Sequence, residues 1–500
     1  MFYWKEAVVL IVLLGIACLP ARALLRDNEE RAWHGRLILA AMAIVVIAVS
    51  PLPLAASLLV CGLLLMVVAN REVPLAATWL FMIIWTPAAG IYLGFSGLFL
   101  GVLAPGLIFA TALLLLYIMT PGHHARRGID SSDISLLLFL AIFWVCSSLR
   151  GTWSEAARSL ISYVLAFGIT YQVLSRTRIQ SAERVLRLFV YAAAAASLLC
   201  LFESLWKWPL YAVLNQVKAG TLEGAPRMML FRAGIVRAYG PFQHPLAGSA
   251  IFGMAGVAFF ALLQIRRASA PLLLLGFMIL LGEAATVSRT GIIAFSVGIG
   301  TFLALRRHRA LASFIVLVGV VLVLVTPALS QADAQGSASY RYMLMVDGPR
   351  LLGNHVWLGY REALSNGMLA DLRQGQGIID LVNIYASLII MGGIASLVPY
   401  LLFLATTIQR YRAFRRAGPD RDQLLLGQAL LSMQVGFVAM APFIGAWSSP
   451  MLLSVAWVAM LAALRTEALR SRAAPRAQAA VREAPMLMNP PAVEQLPALR

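Results

Sequence analysis

Long runs of apolar residues, separated by short polar segments, occupy most of this chain. A helix needs about 20 such residues to cross the hydrocarbon core of a bilayer. The pattern therefore predicts an all-α fold, a polytopic integral membrane helical bundle of about 12–15 spans with one larger external loop. The predicted spans lie at residues 7–25, 37–50, 54–69, 73–94, 97–119, 134–149, 158–175, 185–206, 246–264, 271–287, 291–305, 311–328, 380–407, 423–441 and 448–465.

Proline and glycine interrupt this pattern in the first quarter of the chain. Pro51 and Pro53 predict a tight hairpin between two spans. Farther along, we expect a broken or re-entrant helix, which other parts of the protein must cover so that its backbone groups find hydrogen-bond partners. The residues behind this expectation are Pro87, Gly90, Gly94, Gly97, Gly101 and Pro105.

Clusters of arginine sort the polar segments onto two sides of the membrane. By the positive-inside rule, these short basic segments lie in the cytoplasm. The opposite, external side then receives residues 207–243, the turn at Arg289, the larger loop at 329–379 and a short turn at 442–450. The clusters are Arg176/Arg178/Arg184, Arg266/Arg267, Arg306/Arg307/Arg309 and Arg410/Arg412/Arg415/Arg416.

The same pattern divides the chain into three parts. Residues 1–206 are expected to form N-terminal transmembrane helices, and residues 207–465 a transmembrane core that contains the loop 329–379. Residues 466–500 are rich in alanine, proline and arginine and have no apolar period. We therefore expect a disordered, basic, cytoplasmic tail after residue 465.

Composition excludes a soluble globular protein, because 61% of the residues are apolar and only 12% are charged. The net charge of +18 would by itself suggest a nucleic-acid partner. Here the basic residues lie in short segments between apolar runs, as membrane topology requires. We therefore expect a lipid bilayer as the partner, and no nucleic acid.

The sharpest candidate for function is Arg289, which lies in a short turn between two predicted spans. A cation at the edge of the hydrocarbon region is costly unless it serves a purpose. One interpretation is that its guanidinium binds a lipid-linked phosphate in bidentate geometry, with Arg237 supplying a second positive charge. The alternatives are an arginine that extends to lipid headgroups, or one that pairs with Glu283.

Other polar side chains lie on the same external side. His244 and His355 are candidates for proton transfer, and the alternative for each is a structural histidine. Asp380 is a candidate base or a helix cap. Asn383 and Tyr385 are candidates for hydrogen bonds to a sugar, or they contact neighbouring helices. The candidate substrate-binding residues are Ser288, Arg341, Arg361, Asn383 and Tyr385.

Four short motifs between residues 230 and 405 resemble those of the O-antigen ligase and O-antigen polymerase superfamily, which are bacterial inner-membrane glycosyltransferases. Each motif is short, and the resemblance rests on their order, spacing and shared sidedness. The motifs are Arg237-Ala-Tyr-Gly-Pro-Phe-Gln-His-Pro245, Ser288-Arg-Thr-Gly291, Trp357-Leu-Gly-Tyr360, and Val382-Asn-Ile-Tyr385 followed by Gly392-Gly393.

The resemblance implies transfer of a glycan from undecaprenyl diphosphate on the periplasmic side of the inner membrane. The acceptor is lipid A–core for the ligases and another lipid-linked glycan for the polymerases, in lipopolysaccharide or exopolysaccharide assembly. Arg237 and Arg289 match the family's two periplasmic arginines. The family places a histidine before the asparagine that ends the loop, whereas this chain has Val382. The general base therefore stays open among Asp380, His355 and His244.

Taken with the residues, the resemblance predicts an inverting glycosyltransferase. Arg289 and Arg237 would offset the charge of the departing diphosphate, and a carboxylate or imidazole would accept the acceptor's proton. The sequence contains no glycine-rich phosphate loop, zinc-protease motif or paired-carboxylate metal motif, so we expect no nucleotide, metal or other cofactor. The alternatives are a transporter or flippase of a lipid-linked or anionic substrate, and a non-enzymatic membrane scaffold.

Overall fold

The structure, a computed structural model, describes residues 4–25, 28–49, 60, 62–64, 66, 68, 75–86, 91–95, 98–103, 105–119, 128–149, 153–179, 181–210, 231–232, 235–242, 244–325, 334–364, 366–373, 379–446 and 448–483. The hairpin predicted at Pro51 and Pro53 lies outside the described residues. So does much of the predicted span 54–69, of which six residues are described as helical.

Helices and one β-hairpin form the described part of the first 210 residues. Capping supports several helix starts, as where Asp130 and Asp133 form a capping box before α5 and Ser181 accepts a hydrogen bond before α8. The elements are α1 (Trp4–Ala23), α2 (Asn28–Val49), α3 (Leu75–Trp85), β1 (Ile91–Phe95), β2 (Leu98–Leu103), α4 (Pro105–Met119), α5 (Ser131–Ser148), α6 (Trp153–Ser159), a π-helical segment (Leu160–Leu165), α7 (Ala166–Leu174) and α8 (Ala182–Trp206).

The rest of the described chain is again almost entirely helical. The elements are β3 (Phe231–Arg232), β4 (Ile235–Val236), α9 (Pro245–Ile265), α10 (Ala270–Thr286), α11 (Thr290–Leu305), α12 (Arg309–Val325), α13 (Ala334–Leu351), short 3₁₀ helices at Gly353–Val356, Arg361–Leu364 and Ala370–Leu372, α14 (Ile384–Arg416), α15 (Arg421–Met440), a 3₁₀ turn at Ala441–Phe443, and α16 (Ser449–Glu483).

These helices confirm the predicted all-α, polytopic membrane bundle. Seven of the described helices, namely α1, α5, α8, α9, α14, α15 and α16, are long and apolar enough to cross a membrane, and six further apolar stretches are shorter. Helix α9 lies near the centre and contacts α8, α10, α11, α15 and α16. Large apolar side chains such as Leu137, Leu280 and Phe314 point outward and are exposed. In a bilayer these side chains contact lipid rather than water.

The helix ends lie at two opposite faces of the bundle, and we name each face by what it carries. The basic face carries Arg184, Arg266 and Arg410, at helix ends that meet one another through ion pairs and backbone contacts. The loop face, at the other ends of the same helices, carries Arg237, Arg289 and the segment 334–383. The grouping predicted from the arginine clusters is thus reproduced by the helix packing.

Several arginines of the basic face are buried in interhelical ion pairs. Arg187 contacts Glu30 at 2.8 Å and Glu183 at 3.3 Å, and Arg266 also contacts Glu183. Elsewhere on this face Arg410 has 5% of its surface exposed and bonds Asp130, Ser132 and the hydroxyl of Tyr171. These residues therefore fix helix ends to one another, a role that the topology rule alone does not predict.

Within the interrupted region at 87–105, Ile91–Phe95 and Leu98–Leu103 form a β-hairpin instead of the broken helix that the sequence predicts, and Pro87, Gly90 and Gly97 lie outside the described residues. Strand β1 pairs antiparallel with β2, with a register shift between Leu93 and Gly94. Ile91, Tyr92, Phe95, Phe99 and Val102 are β-branched or aromatic and favour strand, while Gly94 and Gly101 weaken the helical tendency of the apolar run. Strand β2 packs against α6 and the π-helical segment, which cover it with protein as the membrane interior requires.

The boundary predicted at residue 465 also differs from the structure. Helix α16 continues without interruption to Glu483, where the sequence analysis predicts a disordered tail. Alanine, arginine and glutamate predominate in this stretch and all favour helix. Close to the membrane end of the stretch, Arg472 reaches the carbonyl of Arg416 at 3.4 Å, so the extension contacts the end of α14. Residues 484–500 lie outside the described part of the chain.

The external loop folds into its own apolar cluster against the start of α14. Helix α13 and the short helices after it place Tyr340, Leu344 and Leu352 together, and these contact Ala386 and Ile390 of α14. The larger part of the loop predicted at 329–379 is therefore regular structure attached to the bundle.

Helix α14 is broken within its apolar stretch at Gly393, and the loop fills the break. Gly393 has φ 70° and ψ 178°, about 13 Å along the axis from the helix start. The Tyr360 N–H donates to the Ile390 carbonyl at 2.7 Å, and the Ala395 N–H donates to the Trp357 carbonyl at 3.0 Å. The segment Trp357–Tyr360 thus satisfies backbone groups that the break leaves without helical partners.

We expect Gly393→Ala to destabilise the folded protein, because alanine at this φ costs about 1–3 kcal/mol and its methyl group would collide with the carbonyl of Trp357. The measurement is thermal unfolding of the detergent-solubilised protein. Gly353→Ala is the matched control, since Gly353 also has positive φ but a methyl group there meets no atom within 4 Å. Equal losses of melting temperature in the two variants would show that the contact between the docked loop and Gly393 adds nothing to the stability of the fold.

Candidate functional site

The segment that carries Arg237 crosses the loop face beside the end of α10. The Ala238 N–H donates to the Ala285 carbonyl at 3.1 Å, and Nε of Arg237 donates to the Thr286 carbonyl at 3.4 Å. On its other side, the Tyr239 and Gly240 N–H groups donate to Oε2 of Glu203 at 3.3 and 2.9 Å. The segment is therefore fixed between α8 and α10.

Arg289 stands at the start of α11, where its backbone is the N-cap. The turn that brings it there passes through Val287, which has φ 47° and ends α10 in the left-handed conformation. The Ser288 hydroxyl accepts from the Thr290 N–H at 3.3 Å and donates to the Thr290 hydroxyl at 3.2 Å. Ser288 is buried and stabilises this turn, so its assigned role in substrate binding gains no support from the geometry.

The structure brings Arg237 and Arg289 to one corner of the loop face. Arg237 bonds the carbonyl of Thr286, which is three residues before Arg289 in the same turn. The N-terminus of α11 adds the positive end of a helix dipole at the same place, although its Thr290 and Gly291 N–H groups donate to Ser288 and Ser249. The segments that carry two arginines therefore meet at a helix N-terminus, which is an arrangement of positive charge suited to an anion with more than one negative charge.

Glu283 bonds Ser249, whereas the sequence suggested Arg289 as one possible partner. Its Oε1 accepts from the Ser249 hydroxyl at 2.7 Å, and the Ser249 oxygen accepts from the Gly291 N–H at 2.6 Å. Its Oε2 is buried against the backbone of Gly291, where any side chain would collide with the carboxylate. The ion pairs among the described residues do not include a Glu283–Arg289 pair.

The two candidate histidines of the loop face occupy different surroundings. His244 is the N-cap of α9, and its Nδ1 accepts from the Leu246 N–H at 3.1 Å. This contact matches the structural alternative, because it requires that Nδ1 carry no proton. His355 lies in the first short loop helix, where its ring packs on Tyr360 with centroids 4.8 Å apart. Its carbonyl accepts from the Gly359 N–H at 2.7 Å, so His355 belongs to the docked Trp357–Tyr360 segment.

Asp380 lies at the junction between the loop and α14, and Tyr340 holds its backbone. The Tyr340 hydroxyl accepts from the Asp380 N–H at 2.9 Å and donates to the Asp380 carbonyl at 3.1 Å. Burial raises the pKa of the Asp380 carboxyl above its ordinary value, and the positive charge of Arg341 partly offsets that rise. A carboxylate with a raised pKa is a stronger proton acceptor, which suits a general base.

The helix cap of α14 is Asn383 instead of Asp380. The Asn383 side-chain oxygen accepts from the Tyr385 and Ala386 N–H groups at 2.9 and 3.1 Å. The Tyr385 hydroxyl donates to the Val438 carbonyl at 3.1 Å and so ties α14 to α15. The Tyr385 contact matches the alternative of a side chain that faces a neighbouring helix, whereas Asn383 caps its own helix. Arg361 starts the second short loop helix, directly after Tyr360, and is half-buried.

Helix packing connects the loop to the arginine corner. The guanidinium of Arg341 lies over the Phe443 ring, 5.5 Å from its centroid. Phe443 follows α15, whose Gly436 contacts the backbone of Ala294 in the first turns of α11. Because α15 ends and α11 begins on the loop face, Arg341 joins the face that carries Arg237 and Arg289.

Two polar residues of this corner are absent from the sequence-based candidates. Glu203 is 1% exposed at the end of α8 and accepts the two backbone N–H groups that follow Arg237. Ser249 is fully buried in α9 and links Glu283 to Gly291. A carboxylate close to the end of an apolar span was an available signal for Glu203, since such residues are rare in membranes. A single serine in an apolar helix gives no comparable signal.

Comparison with known proteins leaves the family open. Neither a scan against protein-family models nor a search of curated proteins found a match to this chain. The resemblance drawn from the four motifs therefore stays a prediction, and a function is proposed from the residues and their contacts.

Proposed function

We propose that this protein transfers an undecaprenyl-diphosphate-linked glycan to a glycan or lipid A–core acceptor, in the assembly of a cell-surface polysaccharide. The loop face would face the periplasm of a bacterial inner membrane. One observation carries the proposal: Arg237 is bonded to the turn that presents Arg289 at a helix N-terminus. That arrangement gives a diphosphate two guanidinium groups in the headgroup region, where the diphosphate of a lipid-linked glycan lies.

The reaction requires the protein mainly to position the two substrates and to stabilise the charge of the departing diphosphate. The acceptor oxygen forms a bond to the anomeric carbon of the donor glycan, and the bond from that carbon to the diphosphate oxygen breaks. The bonding pair leaves with the diphosphate, so negative charge grows there in the transition state. Preorganised cations stabilise that charge, which is the role we assign to Arg289 and Arg237. Direct displacement inverts the anomeric carbon.

The acceptor hydroxyl must also lose its proton as it attacks. Of the candidate bases, Asp380 has the geometry that supports this role best, because its backbone is fixed by Tyr340 and its carboxyl lies near Arg341. His244 is engaged as a helix cap and His355 packs on Tyr360. Asp380 would thus accept the proton in place of the histidine that the resembled family has at the position of Val382.

The first prediction of this proposal concerns the side of the membrane on which each face lies. Single cysteines at Arg350, which is exposed on the loop face, and at Arg415, which is exposed on the basic face, should react from opposite sides of the membrane. The measurement uses a membrane-impermeant maleimide on intact spheroplasts and on inverted vesicles, in a background without the native cysteines. Position 350 should react in spheroplasts. Labelling of position 415 instead would place the arginine corner in the cytoplasm and end the proposal.

The second prediction concerns the arginine pair. Arg289→Ala should lower the rate of glycan transfer by about 10²-fold or more, because one preorganised charge is lost from the transition state. Arg289→Lys should also be impaired, since an ammonium lacks the bidentate fork, and Arg237→Ala should act in the same direction. The assay combines purified protein, polyprenyl-diphosphate glycan and acceptor, without nucleotide.

Arg350→Ala is the control for this assay, because Arg350 lies on the same face with its side chain 76% exposed and paired with Asp347. It should transfer glycan at the wild-type rate. Wild-type rates in Arg289→Ala would remove that residue from the mechanism. Movement of the intact lipid-linked glycan across the bilayer, without joining of glycans, would favour a flippase instead.

The third prediction concerns pH. If Asp380 is the base, transfer requires its carboxylate form and falls as the pH drops below the raised pKa. Asp380→Asn should lower the rate by about 10²-fold or more across the whole range. Arg341→Met removes the positive charge that lowers this pKa, so the acid limb of kcat/KM should move to higher pH. An unmoved acid limb in Arg341→Met, with Arg350→Ala as reference, would exclude Asp380 as the base.

A further inference from the structure

Both arginines of the corner are followed, two residues later, by a backbone N–H group that is tied to a buried glutamate. Arg237 is followed by Tyr239, whose N–H donates to Glu203, and the next N–H, of Gly240, donates to the same oxygen at 2.9 Å. Arg289 is followed by Gly291, whose N–H donates to the hydroxyl of Ser249. That hydroxyl in turn donates to the carboxylate of Glu283 at 2.7 Å.

Such carboxylates are costly at this depth. Glu203 is three residues from the end of α8, and Glu283 is three residues from the end of α10, so both lie within one helical turn of the loop face. Glu203 is 1% exposed, and Oε2 of Glu283 is buried. A carboxylate in apolar surroundings destabilises the fold unless hydrogen bonds offset its lost hydration. Apolar residues would fill the same space without that cost.

The hydrogen bonds at Glu203 and Glu283 indicate why such costly carboxylates are present. Backbone N–H groups that donate to a carboxylate make shorter, stronger bonds than those that donate to neutral acceptors. At Glu203 such bonds fix the backbone directly, whereas Glu283 fixes it through the hydroxyl of Ser249. Each glutamate therefore reduces the conformational freedom of one arginine by fixing its chain two residues away.

We propose that Glu203 and Glu283 are positioning residues, which hold Arg237 and Arg289 in register for one diphosphate. Glu203 acts directly on the backbone after Arg237, and Glu283 acts through Ser249 on the backbone after Arg289. This inference rests on the proposed function, because it takes the diphosphate of a lipid-linked donor as the ligand. It adds that the affinity for this ligand depends on two carboxylates that do not themselves bind it.

The test measures the Kd of undecaprenyl diphosphate, without glycan, for the full chain in lipid nanodiscs. Glu203→Leu should weaken binding by about tenfold or more, because both backbone bonds are lost. Glu203→Gln retains an oxygen that accepts both N–H groups, although it is a neutral and weaker acceptor, so it should weaken binding less than Glu203→Leu does. Ser249→Ala interrupts the link from Glu283 to Gly291 and should also weaken binding. Glu362→Leu, at an exposed carboxylate of the loop face, is the control and should leave the Kd unchanged.

Double variants separate positioning from general loss of structure. If Glu203 acts through Arg237, then Glu203→Leu should change the Kd little in an Arg237→Ala background. In an Arg289→Ala background it should still weaken binding by the full single-variant factor. Ser249→Ala should show the reverse pattern. Full losses in both backgrounds, or a lowered melting temperature with an unchanged Kd, would overturn the inference, as would equal weakening by Glu203→Gln and Glu203→Leu.

The same measurements distinguish this inference from the proposed function. Wild-type protein that binds undecaprenyl diphosphate but joins no glycans would remove the transferase activity and leave the positioning role in place. Wild-type protein that transfers glycan with unaltered Kd values in the glutamate variants would retain the activity and reject the positioning role. A wild-type protein that binds no undecaprenyl diphosphate would overturn both.

Discussion

Backbone polar groups that are buried away from water must find partners within the protein, and this constraint shapes the loop face. Helix α14 breaks at Gly393, and the Trp357–Tyr360 segment supplies the missing donor and acceptor. At the arginine corner, Glu203 and the Ser249 hydroxyl accept N–H groups that regular structure leaves open. The same requirement therefore fixes both the loop and the candidate site, and it makes the irregular segments rigid where function needs fixed geometry.

The sequence predicted the architecture well where one signal dominated. Apolar runs of sufficient length gave most of the spans after residue 130 to within a few residues, because burial in lipid leaves the helix as the stable choice, although α14 and α16 continue well beyond the predicted ends at 407 and 465. Between residues 87 and 105, glycine and proline weakened that signal, and a hairpin formed. Beyond residue 465 the absence of an apolar period suggested disorder, although alanine-rich sequence continues α16.

The charged residues of the candidate site could be predicted from the sequence, but the residues that hold their backbone in place could not. Arg237 and Arg289 are conspicuous in the sequence because they interrupt apolar runs at the external side. Ser249 and Glu203 act through backbone atoms, so their importance depends on which N–H groups the fold brings near them. Asn383 was recognised as a polar residue at a helix start, but its function as the cap appears only once the helix is seen to begin at Ile384.

The two faces use buried carboxylates in different ways. On the basic face, Arg187, Arg266 and Arg410 are matched with carboxylates at contact distance, which neutralises them and joins helices. On the loop face, oxygens of Glu203 and Glu283 accept from backbone and hydroxyl groups beside the segments that carry Arg237 and Arg289. A carboxylate bonded in this way fixes the backbone of such a segment, so the same residue type joins helices on one face and shapes the candidate site on the other.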